Sequence, residues 1–259
     1  MATKRDFTDR FLRSIKPTEP GNRVGRALMM LPERLVVRNQ TLHALISTAY
    51  QMATFKIAGG PAWTTSDRFD ISATTGHRVT IEESRQMLRA LLEERFKLKT
   101  HRDTHDARIY VLTFVHDDHR LGPDLKPTTL DCAAILAERR QNGTGMPPPT
   151  PGNPRPICGA TVGSGFHAHG IQIASFAQTL GTLMRETVVD ETGLTGWWDF
   201  DLEMGFSGFS GPPVGDVDST ANTPSIFTAL QEQLGLKLQS TRGSVEVLVI
   251  DHAEKPTPD

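Results

Sequence analysis

Apolar residues recur at helical spacing in two separate stretches, Leu42, Leu45, Ile46 and Ala49, and then Ile173, Phe176, Ala177 and Leu180. Each set predicts an amphipathic helix with one face turned to a core. A short strand precedes each, Arg34 to Arg38 and Gly165 to His169. Two extended segments follow each helix, ending in Phe69-Asp70-Ile71 and Phe200-Asp201-Leu202, where apolar and acidic residues alternate with period two. A second helix comes next. In the first stretch Thr80 and Glu83 make a capping box, with Leu88, Leu91 and Leu92 facing inward. In the second, Phe227, Leu230 and Leu234 face inward and Gly235 suits the C-cap. A hairpin is predicted to close each stretch. In the later one it has Leu236 and Leu238 before a turn at Thr241-Arg242-Gly243-Ser244, and Val245, Val247 and Val249 after it.

The two stretches can be laid on one another. Asn39 to Ile46 falls on Gly170 to Ala177, and at the same offset Phe69-Asp70-Ile71 falls on Phe200-Asp201-Leu202. Ala90-Leu91 then matches Ala229-Leu230, Lys97-Leu98-Lys99 lies close to Lys237-Leu238-Gln239, and Ile109 to Leu112 lies on Val245 to Leu248. Matched blocks in one order predict an α+β fold, a tandem duplication of a small β-α-β-β-α-β-β unit whose sheet carries helices on one face. The expected organisation is an N-terminal arm over 1–30, a first repeat over 31–130, a Pro-rich insert over 131–162 and a second repeat over 163–259. The second repeat carries a Gly/Ser/Pro-rich insert between Gly205 and Thr223 that is read as a mobile loop.

Composition narrows the classes of function. Of 259 residues, 37% are hydrophobic and 22% charged, and the net charge is −2. That balance suits a globular protein and lacks the basic excess of a nucleic-acid binder. The run Arg95 to Arg102 alternates basic and apolar residues and reads as a strand with one solvated face. No nucleic acid is expected as a partner. Nor is a membrane span, since no stretch approaches ~20 apolar residues. Met1 to Lys16 is charged throughout and lacks the apolar core of a signal peptide, so read alone it is a cytosolic start. The two cysteines, Cys132 and Cys158, bracket a segment with six prolines between Pro147 and Pro156. Bonded, they restrain a stretch with no core of its own, worth ~3 kcal/mol; the alternative is two unrelated thiols.

Candidate chemistry is sparse. Gly205-Phe206-Ser207-Gly208-Phe209 and Gly163-Ser164-Gly165 fail the spacing of a nucleophile elbow. His167 and His169 are two apart on a predicted strand and share a face; His101, Asp103 and His105 repeat that geometry, and His116 and His119 flank Asp117-Asp118. Such sets can hold zinc, yet there is no His-Glu-x-x-His, so solvated histidines are the alternative and His167 and His169 are only weak metal candidates. No cofactor is expected. Gly193-Leu194-Thr195-Gly196 has the Gly-x-x-Gly spacing of a nucleic-acid clamp, but Glu191, Asp199 and Asp201 surround it and would repel phosphate. It reads as a tight turn before Trp197 and Trp198. Those two, with Trp63 beside Gly59-Gly60-Pro61-Ala62, are the candidate binding residues, against half-covered core aromatics.

The most specific stretches are Gly59 to Trp63, Leu91-Leu92-Glu93-Glu94-Arg95-Phe96-Lys97-Leu98, Val189-Asp190-Glu191-Thr192-Gly193-Leu194-Thr195-Gly196, Phe227 to Leu238 and Val245 to His252. On these the chain resembles a soil-associated bacterial family of unknown function, abundant in acidobacteria, from Ser14-Ile15-Lys16-Pro17 to Glu254-Lys255-Pro256. Each half also resembles, more distantly, the short N-terminal domain of secretins and TonB-dependent receptors, which binds partner proteins in the periplasm. The resemblance implies a periplasmic or secreted protein whose native chain begins with a signal peptide, so that Met1 is a trimmed or recombinant start. It implies no catalytic residue. The function expected is an extracytoplasmic, non-enzymatic binding or sensing module for an unknown protein or small ligand; the alternative is a hydrolase with a His/Asp site in a cleft between the repeats.

Overall fold

The computed structural model describes residues 12–19, 25–31, 33–142, 158–162, 165–205 and 224–257. Residues 143–157 of the Pro-rich insert read over 131–162, residues 206–223 of the insert read between Gly205 and Thr223, and with them Ser164 and Ser207, lie outside the described residues. The fold is α+β. Two compact units divide it: residues 1–105 with 246–259, and residues 106–245. The cuts fall inside two long strands, not at the consecutive boundaries read from the sequence.

In the first unit, β1 (Leu12–Pro17), β5 (Arg68–Thr74), β3 (Arg34–Thr41) and β2 (Ala27–Leu31) form an antiparallel sheet in that order. Residues 12–17 and 27–30 of the expected arm are thus in sheet strands. Helix α1 (Leu42–Tyr50) starts at Thr41, whose hydroxyl accepts from the Ala44 N–H, satisfying one of the free amides of the first turn. It buries Leu42, Leu45, Ile46 and Ala49, as its periodicity predicts. A short helix α2 (Trp63–Ser66) follows β4 (Ile57–Gly59). Helix α3 (Ile81–Arg95) opens with the capping box: the Glu83 N–H donates to the Thr80 hydroxyl and the Thr80 N–H to the Glu83 carboxylate. That carboxylate titrates below its ordinary value because the Thr80 backbone N–H and hydroxyl both donate to it. One core joins Ile15, Leu35, Val37, Phe69 and Ile71 of the sheet to Leu45, Leu88, Leu92 and Phe96.

The second unit has β7 (Lys126–Pro127), β11 (Trp198–Glu203), β9 (Gly165–Ile171) and β8 (Gly159–Val162) in that order, also antiparallel. Between β7 and β8 lies helix α4 (Cys132–Asn142). Helix α5 (Ile173–Met184) follows β9 as α1 follows β3, and the two end alike, on left-handed Gln51 and Arg185. After β10 (Thr187–Asp190), the last helix is a single α turn, α6 (Ile226–Ala229), that widens into a π turn over Leu230–Leu234 and stops at left-handed Gly235. The expected C-cap glycine is therefore in place. Phe227, expected inward, is 37% exposed and packs on Tyr110, while Ile226 and Ala229 point to the core. A four-residue turn with a π turn behind it does not keep the 3.6-residue spacing on which that inward face was read. The second core gathers Phe166, Phe176, Phe200, Leu230 and Leu234.

The closing hairpins are not formed. Thr241 to Ser244 lie within one continuous strand, β12 (Leu236–His252), and the region of Ile109 lies within another, β6 (Lys99–Phe114). Gly243 signalled a turn, but a Cβ there would meet Ile109 Cδ1 at 2.5 Å, so the glycine serves a close side-chain approach within a strand. β12 has β6 on one side and β4 on the other, so its end from Leu248 to Ile250 is no free edge. The basic run also divides: Arg95 ends α3, Phe96 and Leu98 are buried, and only Lys99 onward is strand.

Register corrects one more expectation. Val37 faces Ile71 in the first sheet and Ala168 faces Phe200 in the second. Phe200 thus stands where Ile71 stands, and the segment matching Phe69-Asp70-Ile71 is Trp198-Asp199-Phe200, two residues earlier than the sequence alignment placed it.

Candidate functional site

The tryptophans lie where turns meet cores. Trp63 opens α2 behind Gly59 and Gly60, both left-handed with φ near 75°. A Cβ at Gly59 would come within 2.9 Å of the Ile250 carbonyl oxygen, and one at Gly60 within 3.0 Å of the Ile250 side chain. The close approach these glycines permit is spent inside the fold, against β12. The half-buried Trp63 ring stacks on Phe96 (centroids 6.2 Å from Phe69 and 6.4 Å from Phe96) and meets Phe69 edge-on. Its remaining side faces the Lys255 ammonium, 6.0 Å from the ring centroid. Lys255 also pairs with Asp67 at 2.7 Å, and this hydrogen bond is the main cause holding the Asp67 carboxyl below its ordinary value.

Trp198 is 9% exposed and donates its indole N–H to the Thr195 carbonyl at 3.1 Å; Trp197 beside it is half-buried, and its carbonyl accepts from the Thr128 N–H. The neighbouring turn is held by its own groups. The Thr192 N–H and hydroxyl donate to Asp190, the Leu194 N–H donates to the Thr192 hydroxyl, and Gly193 and Gly196 take positive φ. The Gly-x-x-Gly spacing is thus that of a side-chain-braced turn.

The histidines pair locally. His101 Nδ1 lies 2.8 Å from Asp251 and His167 Nδ1 lies 2.7 Å from Asp201. His119 stacks on Phe114 and His116 contacts Arg120. His105 and His169 are exposed. A bulge interrupts β9 between Ala168 and Ile171, so His169 sits where the ladder breaks. Among the described residues no group of three or more His, Cys, Asp or Glu side chains is placed to hold a metal. The Asp251 hydrogen bond raises the His101 pKa above its ordinary value. One histidine carried no signal in the sequence. His43, on the first turn of α1, has a buried Nε2 with no hydrogen-bond partner among the described residues, and burial lowers its pKa. A lone histidine between the apolar positions of a helix looks like any other partly covered polar residue.

Cys132 and Cys158 are joined, with Cα atoms 5.5 Å apart. The bond ties the start of α4 to the start of β8 and passes directly over Gly170, where a Cβ would collide with Cys132 Sγ. The arrangement defines a class: a disulfide-stapled α+β protein whose tryptophans are anchored in turn-and-core contacts. The chain belongs to the family described as Protein of unknown function (DUF3738), whose model matches residues 43–253. No curated protein and no solved structure matches the chain. Among the described residues no helix is long and apolar enough to cross a membrane.

Proposed function

We propose that this protein is an extracytoplasmic, non-enzymatic binding module that takes up an extended segment of a partner protein along its sheet edges. One observation carries the reading. In two of the three sheets one edge strand is uncharged and presents large apolar side chains to solvent: Met29 (43% exposed) and Leu31 (45%) on β2, and Val162 (47%) on β8. Edge strands are ordinarily guarded by charge, proline or a covering element. An apolar edge strand that carries no charge suits strand addition, in which main-chain hydrogen bonds give affinity and alternate side chains give selectivity. The disulfide supports placement in an oxidising compartment, where such bonds persist. Shared strand order and the paired helix ends support descent of the two units from one duplicated ancestor, and the likeness to periplasmic partner-binding domains belongs to the same reading. Met29→Lys and Val162→Lys should leave circular dichroism and melting unchanged while abolishing retention of partners from an extracytoplasmic extract. Retention unaffected by both charges, or reproducible turnover of an ester, amide or glycoside, would remove this reading and favour the hydrolase.

A further inference from the structure

We propose that Trp63, Asp67 and the Phe96 carbonyl form a docking site for an extended Lys-Pro segment, occupied in this chain by its own residues 254–257 as a releasable strap. The site lies in the first unit and is independent of the sheet edges.

The contacts form a series along the chain that follows β12. The Glu254 N–H donates to the Phe96 carbonyl at 2.7 Å. Lys255 places its ammonium over the Trp63 ring and against Asp67. Pro256 is buried, and the Thr257 carbonyl accepts from Arg95 at 3.0 Å. A ring face beside a carboxylate is the chemistry that selects an ammonium: the ring quadrupole and the charge attract it together. The following proline has a fixed φ and so loses little freedom when it docks. The backbone bond to Phe96 sets the register of the segment.

These ties differ in kind from those of the strand before them. Leu248 and Ile250 of β12 are core residues, with 1% and 3% exposure. The Lys255 and Asp67 side chains keep 59% and 38% of their surface in water. The Lys255–Asp67 contact, so exposed, is weak by itself; the buried Pro256 and the Glu254–Phe96 hydrogen bond are what the strap gives up on leaving. Its departure uncovers the outer side of Trp63, and a Lys-Pro segment of another chain can then take its place.

The test uses the Trp63 indole N–H resonance of isotope-labelled protein. In the full chain, Lys255→Glu should move that resonance and speed its exchange with solvent, with melting otherwise preserved. A chain ending at Ala253 should bind the added peptide Ala-Glu-Lys-Pro-Thr-Pro-Asp saturably, restoring the resonance position of the full chain. The peptide with Glu in place of Lys should bind about tenfold more weakly. Met29→Lys should change none of this, which separates the strap from the edge-strand reading. An unmoved Trp63 resonance in Lys255→Glu overturns the proposal, and so does a folded shortened chain that ignores the peptide. If the shortened chain fails to fold, the full-length variant alone decides.

Discussion

Two bulges, one in β3 and one in β9, solve the same backbone problem with different residues. In β3 the ladder shifts between Val37 and Gln40, and Asn39 takes a left-handed conformation at φ 54°. In β9 the shift lies between Ala168 and Ile171, and Gly170 does the same at φ 63°. Each left-handed residue donates its N–H to an aspartate of the facing strand, Asn39 to Asp70 at 2.8 Å and Gly170 to Asp199 at 2.6 Å. Each is followed, two residues on, by the N-cap of a helix, Thr41 or Gln172. A bulge turns the strand so that it feeds the helix, and the carboxylate satisfies the amide that leaves the ladder. What differs is the neighbour. In the first unit Arg68 donates to the Asn39 carbonyl and Thr18 to Asp70. In the second, the Cys132–Cys158 bond occupies the space a side chain would need. Asparagine tolerates left-handed backbone where there is room; glycine is required where sulfur sits.

The sharpest way to break the comparison is to exchange the residues. Gly170→Asn should cost about 3 kcal/mol or more in urea unfolding, from backbone strain and collision with Cys132 together. The reverse exchange, Asn39→Gly, should stay within about 1 kcal/mol. In a Cys132→Ala, Cys158→Ala background the Gly170→Asn penalty should fall to about 1 kcal/mol, the strain alone, in a double-mutant cycle. Equal penalties for the two exchanges, or a cycle that closes additively, would show that the disulfide does not dictate the glycine.

A smaller effect tests the shared half of the device. Asp70→Ala and Asp199→Ala should each destabilise by about 2 kcal/mol, the range for a hydrogen bond to a charged group whose partner is left unsatisfied. Urea melts of the two variants should agree within about 1 kcal/mol. A loss confined to one of them would mean that the bulges are held by different means.

Smallest is the pH response of the cross-strand His–Asp pair of the first unit. Hydrogen bonding to Asp251 raises the His101 pKa in the folded state. Its contribution to stability is therefore fully present below the ordinary histidine value of about 6.5 and is lost as pH rises through the folded pKa. In Asp251→Asn the His101 titration midpoint, read by NMR, should move down. A midpoint that stays put would assign the shift to other neighbours.

The bulges also separate what local pattern specifies from what it leaves open. Asn39 and Gly170 were aligned with each other from sequence, because the helices behind them carry strong apolar periodicity. Asp70 was aligned with Asp201, although the residue doing the same work is Asp199. Both choices keep an acidic residue between two apolar ones, and period two repeats every second position. A slip of two residues therefore leaves the pattern intact and only the hydrogen-bond register reveals it. The tryptophans slipped in another way. Trp63 was legible as an aromatic beside glycines, but its partner Lys255 comes from the other end of the chain.

By itself the sequence determined the α+β class, the faces of α1 and α5, the capping box at Thr80 and the glycine stop at Gly235. These rest on spacings within a few residues, where propensity and capping act directly; the two cysteines left a bond or two separate thiols open, and the structure joins them. Tertiary structure alone decided that β6 and β12 run unbroken through Asp106 and Ser244, that Phe227 is part-exposed, that His101 and His167 each find an aspartate, and that Lys255 lies over Trp63. Each of these depends on which distant segment arrives beside a residue, and local pattern carries no record of that, since an extended strand and the arm of a hairpin demand the same alternation until a partner is chosen.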